Sequence, residues 1–190
     1  MKKKICIIFS TRPEIIKLQP IINILQKNKN NFFFINTGQH YDFRMHKIFY
    51  DQFKLKKAKY NFKRKGNNNI KFISSSLKFI GNILNKEKPT HVIVQGDTDT
   101  TLSGALATSL YNRNMNISEK IKILHVEAGL RSFDENMPEE INRRITDNIS
   151  DYLFVPTKFD YNNLKKENLI KLKNVKIVGN TIVESLKKVT

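Results

Sequence analysis

The chain has 190 residues, enough for one well-cored domain and too few for a second of comparable size. Lys and Arg number 34 against 17 Asp and Glu, a net charge of +17, which nominates nucleic acid, an anionic membrane or an anionic substrate as partner. Lys, Asn, Ile and Phe recur along the whole length, as in NKNNFFF, so the excess reads as a general compositional bias and argues against a nucleic-acid protein. The lone cysteine, Cys6, excludes an intrachain disulfide and sits in the apolar run ICIIF, as a buried thiol in a reducing compartment would. No stretch approaches the ~20 apolar residues of a membrane span. The apolar part of MKKKICIIFS is too short for a signal peptide before STRPE follows, and a cytoplasmic protein with no membrane partner is expected.

In chain order, Lys4 to Phe9 reads as a buried strand. Ile15, Leu18, Ile22 and Leu25 then recur at helical spacing, with Pro20 expected to break or bend that helix. Phe32 to Asn36 is a second strand. The basic run KLKKAKYNFKRK, Lys54 to Lys65, carries seven cations and no acid, and with the Asn-rich residues after it reads as a solvated, insertion-tolerant loop. Ile70, Ile73, Leu77, Ile80 and Leu84 mark an amphipathic helix ending near Pro89. His91 to Gln95 is a strand, and Thr98 to Tyr111, rich in Ala, Ser and Leu, a helix packed closely on the sheet. Lys122 to Val126 is a strand, Pro138 opens a helix, and Tyr152 to Val155 and Val175 to Val178 complete six strands. This alternation predicts an α/β, Rossmann-like parallel sheet flanked by helices.

In such a sheet the binding crevice lies beyond the carboxyl ends of the strands. After the first strand come Ser10, Thr11 and Arg12 at a helix N-terminus, with Lys17 about one turn further on, a setting that suits a phosphate. After the second comes TGQH with His40; after His91 to Gln95 comes GDTDTT with Asp97; after Lys122 to Val126 comes Glu127. Asp97 or Thr98 is equally suited to capping the next helix, His40 to an ordinary loop and Arg12 to a surface pair with Glu14. Glu127 is harder to dismiss, because an acid beside a buried strand needs a partner or a ligand. On the helix opened by Pro138, Glu139 is spaced to pair with Arg143 and Glu140 with Arg144. Neither a dinucleotide glycine fingerprint nor a Gly-Lys-Ser phosphate loop is present.

The segments STRPEIIKL, TGQHYD, VQGDTDTTLSGALA, HVEAGLRS, MPEEINRR, Pro156-Thr157 and VGNTIVES together resemble the amino-terminal domain of the non-hydrolysing UDP-N-acetylglucosamine 2-epimerases. The resemblance runs from residue 4 to about 186 and implies one half of a two-domain GT-B-type fold, with residues 1–190 as the Rossmann-like half and the UDP-binding carboxyl-terminal half missing. It implies interconversion of UDP-GlcNAc and UDP-ManNAc for surface polysaccharide synthesis, without cofactor or metal. Epimerases of UDP-diacetamido-uronic acids share the motifs and are the alternative, as is a non-catalytic nucleotide-sugar-binding remnant. By the same resemblance Asp97, Glu127 and Glu139 are acid/base or charge-stabilising groups, and Arg12, Lys17 and Arg143 meet the substrate. Gln39 and His40 match a regulatory region where a second UDP-GlcNAc binds in bacterial relatives. Asp42 stands there in place of a glutamine, which argues against activation. Ser10 replaces a glycine, and Glu184 an aspartate. The expected partners are a UDP-N-acetylhexosamine, a complementary chain bearing the other domain, and a second copy in a homodimer. The isolated chain, a truncated product or one piece of a split enzyme, is expected to be inactive.

Overall fold

A computed structural model describes residues 3–38, 55–63, 66 and 68–186. The apolar runs form parallel strands β1 (Lys4–Phe9), β2 (Asn31–Asn36), β3 (Tyr60–Asn61), β4 (His91–Gln95), β5 (Lys122–Val126), β6 (Tyr152–Val155) and β7 (Asn174–Ile177). They make one sheet in the order β3-β2-β1-β4-β5-β6-β7. The helices are α1 (Arg12–Lys27), α2 (Asn69–Glu87), α3 (Asp99–Asn112), α4 (Pro138–Ile149), α5 (Lys158–Lys166) and α6 (Thr181–Leu186).

Because side chains alternate across a strand, β1 divides its residues between two cores. Cys6 and Ile8 join Phe33, Ile35, Val92, Val94 and Ile123 under α2 and α3. Ile7 and Phe9 join Phe32, Phe34 and Ile93 under Ile15, Leu18 and Ile22 of α1. Both faces are covered, so the strands read as continuous apolar runs. On one side α3 lies very close: a Cβ added at Gly104 would meet Val94 Cγ1 at 2.9 Å and Ile8 Cδ1 at 3.1 Å. Burial pushes the Cys6 thiol up, with the Glu87 charge adding to it, and keeps it unreactive.

Three expectations are corrected. The helix α1 runs unbroken through Pro20. Proline has no N–H to give the carbonyl four residues back, and that carbonyl, of Ile16, instead accepts the Ser185 hydroxyl of α6 at 2.6 Å. The basic run is more than a solvated loop: it buries Leu55 and adds β3 through the pairs Ile35 with Tyr60 and Asn36 with Asn61. Finally, Ile70 is 80% exposed, because α2 turns Phe72, Ser76, Ile80, Ile83 and Leu84 inward.

The edge strand β3 is tied down electrostatically. Glu87, buried at the end of α2, pairs with Lys4 at 2.7 Å and Lys59 at 2.8 Å and accepts the Tyr60 hydroxyl. Hydrogen bonds from Lys4, Lys59 and Tyr60 hold its carboxyl down from 4.5 to about 2. A depressed carboxyl lends stability that is complete above the unfolded value and is lost as pH falls through the folded one. Urea unfolding is therefore expected to show stability declining between pH 4.5 and about 2, and Glu87→Gln to flatten the curve across that window while lowering stability at neutral pH.

Candidate active site

Strand order reverses between β1 and β4, whose pairing runs from Ile5 with His91 to Ile7 with Ile93. Neighbouring connections leave the sheet on opposite faces there, which opens a crevice at the strand ends. Glu14 sits at that point. It is 3% exposed and accepts the Ser10 and Thr11 backbone N–H groups at 2.8 and 2.6 Å and the Thr98 hydroxyl at 2.8 Å. One carboxylate thus ties the end of β1 to the end of β4. The expected surface location of Glu14 is corrected: the residue is interior.

Asp97 follows β4 through Gly96, whose φ of 75° is one that glycine adopts without strain. The capping role belongs to Thr98, whose hydroxyl accepts from the Thr101 N–H at 3.2 Å. That leaves the Asp97 carboxylate to an ion pair with Arg143 Nη2. Asn142 supports the turn, donating to the Asp97 carbonyl at 3.0 Å and to Asp99 Oδ1 at 3.2 Å.

Glu127 follows β5 in the left-handed region, φ 69°, a conformation that costs a non-glycine residue about 1–3 kcal/mol and persists where neighbours enforce it. The Lys17 ammonium reaches both its carboxylate oxygens, at 2.8 and 2.6 Å, and Gln95 donates to the same group. A glycine at 127 would remove the strain and with it the carboxylate.

Glu139 and Glu140 open α4, but the expected i, i+4 pairs are not what they make. Arg143 is buried, binds Asp97 and lies 3.4 Å from Glu140, while Arg144 is exposed. Glu140 accepts the Ser132 N–H at 2.9 Å. Glu139 is half-buried and has no ion-pair partner among the described residues. Arg12 is half-buried at the first position of α1. Gln39 and His40 lie outside the described residues.

Two pairs of predicted residues thus meet: Asp97 with Arg143, and Glu127 with Lys17. Sequence reasoning missed Gln95, which shows only as the last residue of a strand. It also missed His125 and Asp147, and carried Arg131 only within HVEAGLRS, without a role. His125 and Asp147 are wholly buried and 2.7 Å apart, and Arg131 Nη1 lies 2.8 Å from Asp147. The one signal was a histidine inside the apolar run ILHV, since a buried polar group requires partners. Burial opposes the Arg131 charge, but hydrogen bonds and attraction from Glu167 and Asp147 outweigh it and push the guanidinium up.

Sheet order and crevice define a Rossmann-like α/β protein whose site is built of paired carboxylates and cations. A family model described as UDP-N-acetylglucosamine 2-epimerase matches residues 23–190, and the chain belongs to that family. It is 48% identical over 182 residues to the UDP-N-acetylglucosamine 2-epimerase of Methanocaldococcus jannaschii, covering 96% of this chain and 47% of that protein. It is 40% identical over 177 residues to a UDP-2,3-diacetamido-2,3-dideoxy-D-glucuronate 2-epimerase of Pseudomonas aeruginosa, covering 93% of this chain and 48% of that protein. The crystal structure of the M. jannaschii enzyme in complex with UDP-GlcNAc and UDP superposes with a TM-score of 0.88, covering 97% of this chain and 49% of that one. A lipopolysaccharide outer core galactosyltransferase, 11% identical with a TM-score of 0.62, shares the fold alone. The chain spans about half the length of the curated relatives it matches.

Removing the Glu14 carboxylate would orphan the buried Ser10 N–H and the half-buried Thr11 N–H. Glu14→Ala is expected to cost about 1.5–3 kcal/mol, read as a lower urea midpoint with unchanged slope.

Proposed function

We propose that the chain supplies the amino-terminal, carboxylate-bearing half of a UDP-sugar 2-epimerase that interconverts UDP-GlcNAc and UDP-ManNAc. The observation that carries this reading is Glu127, held in a strained backbone between Lys17 and Gln95 at the strand end beside that of Asp97. Carbon 2 of the sugar has no adjacent carbonyl, so its proton is not acidified by enolisation. Departure of UDP supplies the drive. The C2–H bond breaks, its proton passes to a carboxylate and its electron pair forms the C1–C2 double bond. The C1–O bond breaks, and its pair leaves on the β-phosphate oxygen of UDP. Protonation of the glycal at C2 from the opposite face and return of UDP to C1 give the epimer.

Asp97 and Glu127 are the candidates for the proton acceptor, because strand ends place them most rigidly. Glu139 acts as a further acid/base or charge-stabilising group. Arg12, Lys17 and Arg143 answer the diphosphate as its charge grows. The Arg143 Nε, buried without a hydrogen-bond partner among the described residues, is a donor in reserve for such an anion. The reaction needs no cofactor or metal.

The partner in this proposal is a polypeptide equivalent to the other half of the relatives' length, and a second copy of the chain is a further candidate partner. Among the described residues no helix is long and apolar enough to cross a membrane. With the buried thiol of Cys6, that supports a cytoplasmic setting. The higher identity to the UDP-GlcNAc enzyme, 48% against 40%, favours the acetylhexosamine over the diacetamido-uronate.

Incubated alone with UDP-GlcNAc in deuterated water, the chain is expected to place no deuterium at C2. With the second-domain polypeptide added, mass spectrometry should find deuterium there and UDP-ManNAc as product. Turnover by the chain alone would overturn the half-site reading. In the reconstituted enzyme, Glu127→Gln is expected to lower kcat by about 10²–10⁴-fold with little change in KM.

A further inference from the structure

The site contains charged groups that the proposed chemistry leaves unused. His125 is wholly buried in β5 between two oxygen atoms: Nδ1 is 2.7 Å from Asp147 Oδ1, and Nε2 is 2.8 Å from the Gly96 carbonyl oxygen. A carbonyl oxygen only accepts, so Nε2 carries a proton. Asp147 receives the Arg131 guanidinium at 2.8 Å and the Gly129 N–H at 3.2 Å, a setting for an ionised carboxylate, so Nδ1 donates as well. A ring that donates from both nitrogens is an imidazolium. Its charge is balanced within the cluster, since Arg131 also binds Glu167 through Nε at 2.7 Å and Nη2 at 2.6 Å. Two cations and one anion are thereby gathered in the interior, with the half-buried Glu167 closing the cluster at the surface.

Buried charge networks of this kind add little to stability compared with well-packed apolar residues, which directs attention to what this one connects. Gly96 immediately precedes Asp97. His125 and Gly129 flank Glu127, two residues to either side. Asp147 lies on α4, one turn beyond Arg143 and two turns beyond Glu139. One ring and one carboxylate therefore join the three segments that carry the three acids.

We propose that His125 is a positioning residue, a doubly protonated staple that with Asp147 sets the spacing of Asp97, Glu127 and Glu139. The functional meaning rests on the reading of those carboxylates as the reacting groups; the staple itself does not.

Nuclear magnetic resonance of the ¹⁵N-histidine-labelled chain tests it. At neutral pH both ring nitrogens of His125 are expected to carry slowly exchanging protons, since each faces an oxygen acceptor. A bare ring nitrogen under those conditions would overturn the staple, and this measurement needs no variant. Two substitutions divide the ring's bonds. His125→Asn keeps a donor near the Nδ1 position, so the Gly129 amide signal should hold while those of Gly96 and Asp97 move. His125→Gln keeps a donor near Nε2 and should give the reverse, whereas identical shifts in both variants would refute the separate roles. In the reconstituted enzyme, His125→Asn should lower kcat by about 10²-fold, the cost of a misplaced catalytic group, with KM unchanged. An unaltered kcat would remove the positioning role. Full activity in Glu127→Gln together with a protonated ring would instead sink the reading of the carboxylates and leave the staple standing.

Discussion

The pairing of β1 with β4 is the constraint on which the remaining structure depends. It places the reversal of strand order in the middle of the sheet, and so decides that the segments after Phe9 and Gln95 leave on opposite faces and face each other across a gap. Glu14 is the bond that this arrangement requires, an interior acid satisfied by amides from one strand end and a hydroxyl from the other. Everything polar in the crevice is arranged around that join. Lys17 reaches Glu127 because α1 starts at Glu14's side of the gap, and Arg143 reaches Asp97 because α4 lies against α3.

The fold was largely legible. Runs such as KICIIF and HVIVQ are apolar on both faces, as strands covered by helices on both sides must be, and they were found to within a residue. Strand β3 was not, because two residues carry no periodicity and their pairing is set by Tyr60 and Lys59 meeting Glu87, a partner remote in sequence. Pro20 misled for a related reason. A proline in a helix is costly when its orphaned carbonyl stays unmet, and the hydroxyl that meets it arrives from Ser185, far along the chain.

For the site, the positions of Asp97 and Glu127 at strand ends and of Lys17 and Arg143 within the helices α1 and α4 were readable, and the Thr98 cap resolves the double reading of Asp97. The pairings were not readable. Local spacing on α4 assigned Arg143 to Glu139, whereas packing of α4 on α3 delivers it to Asp97. Helical spacing ranks neighbours on one cylinder and is blind to a stronger acceptor on the next. His125 escaped because one polar letter inside an apolar strand looks like noise until Gly96 and Asp147 are seen on either side of its ring.

The backbone at Glu127 has an evolutionary corollary. Glycine would rest there without backbone strain but would leave Lys17 and Gln95 without their acceptor, so if the carboxylate reacts as proposed, relief of strain and retention of chemistry pull this codon in opposite directions. A library screened only for survival of the folded state would discard the carboxylate only together with a replacement for Lys17, so the ion pair holds the strained acid in place.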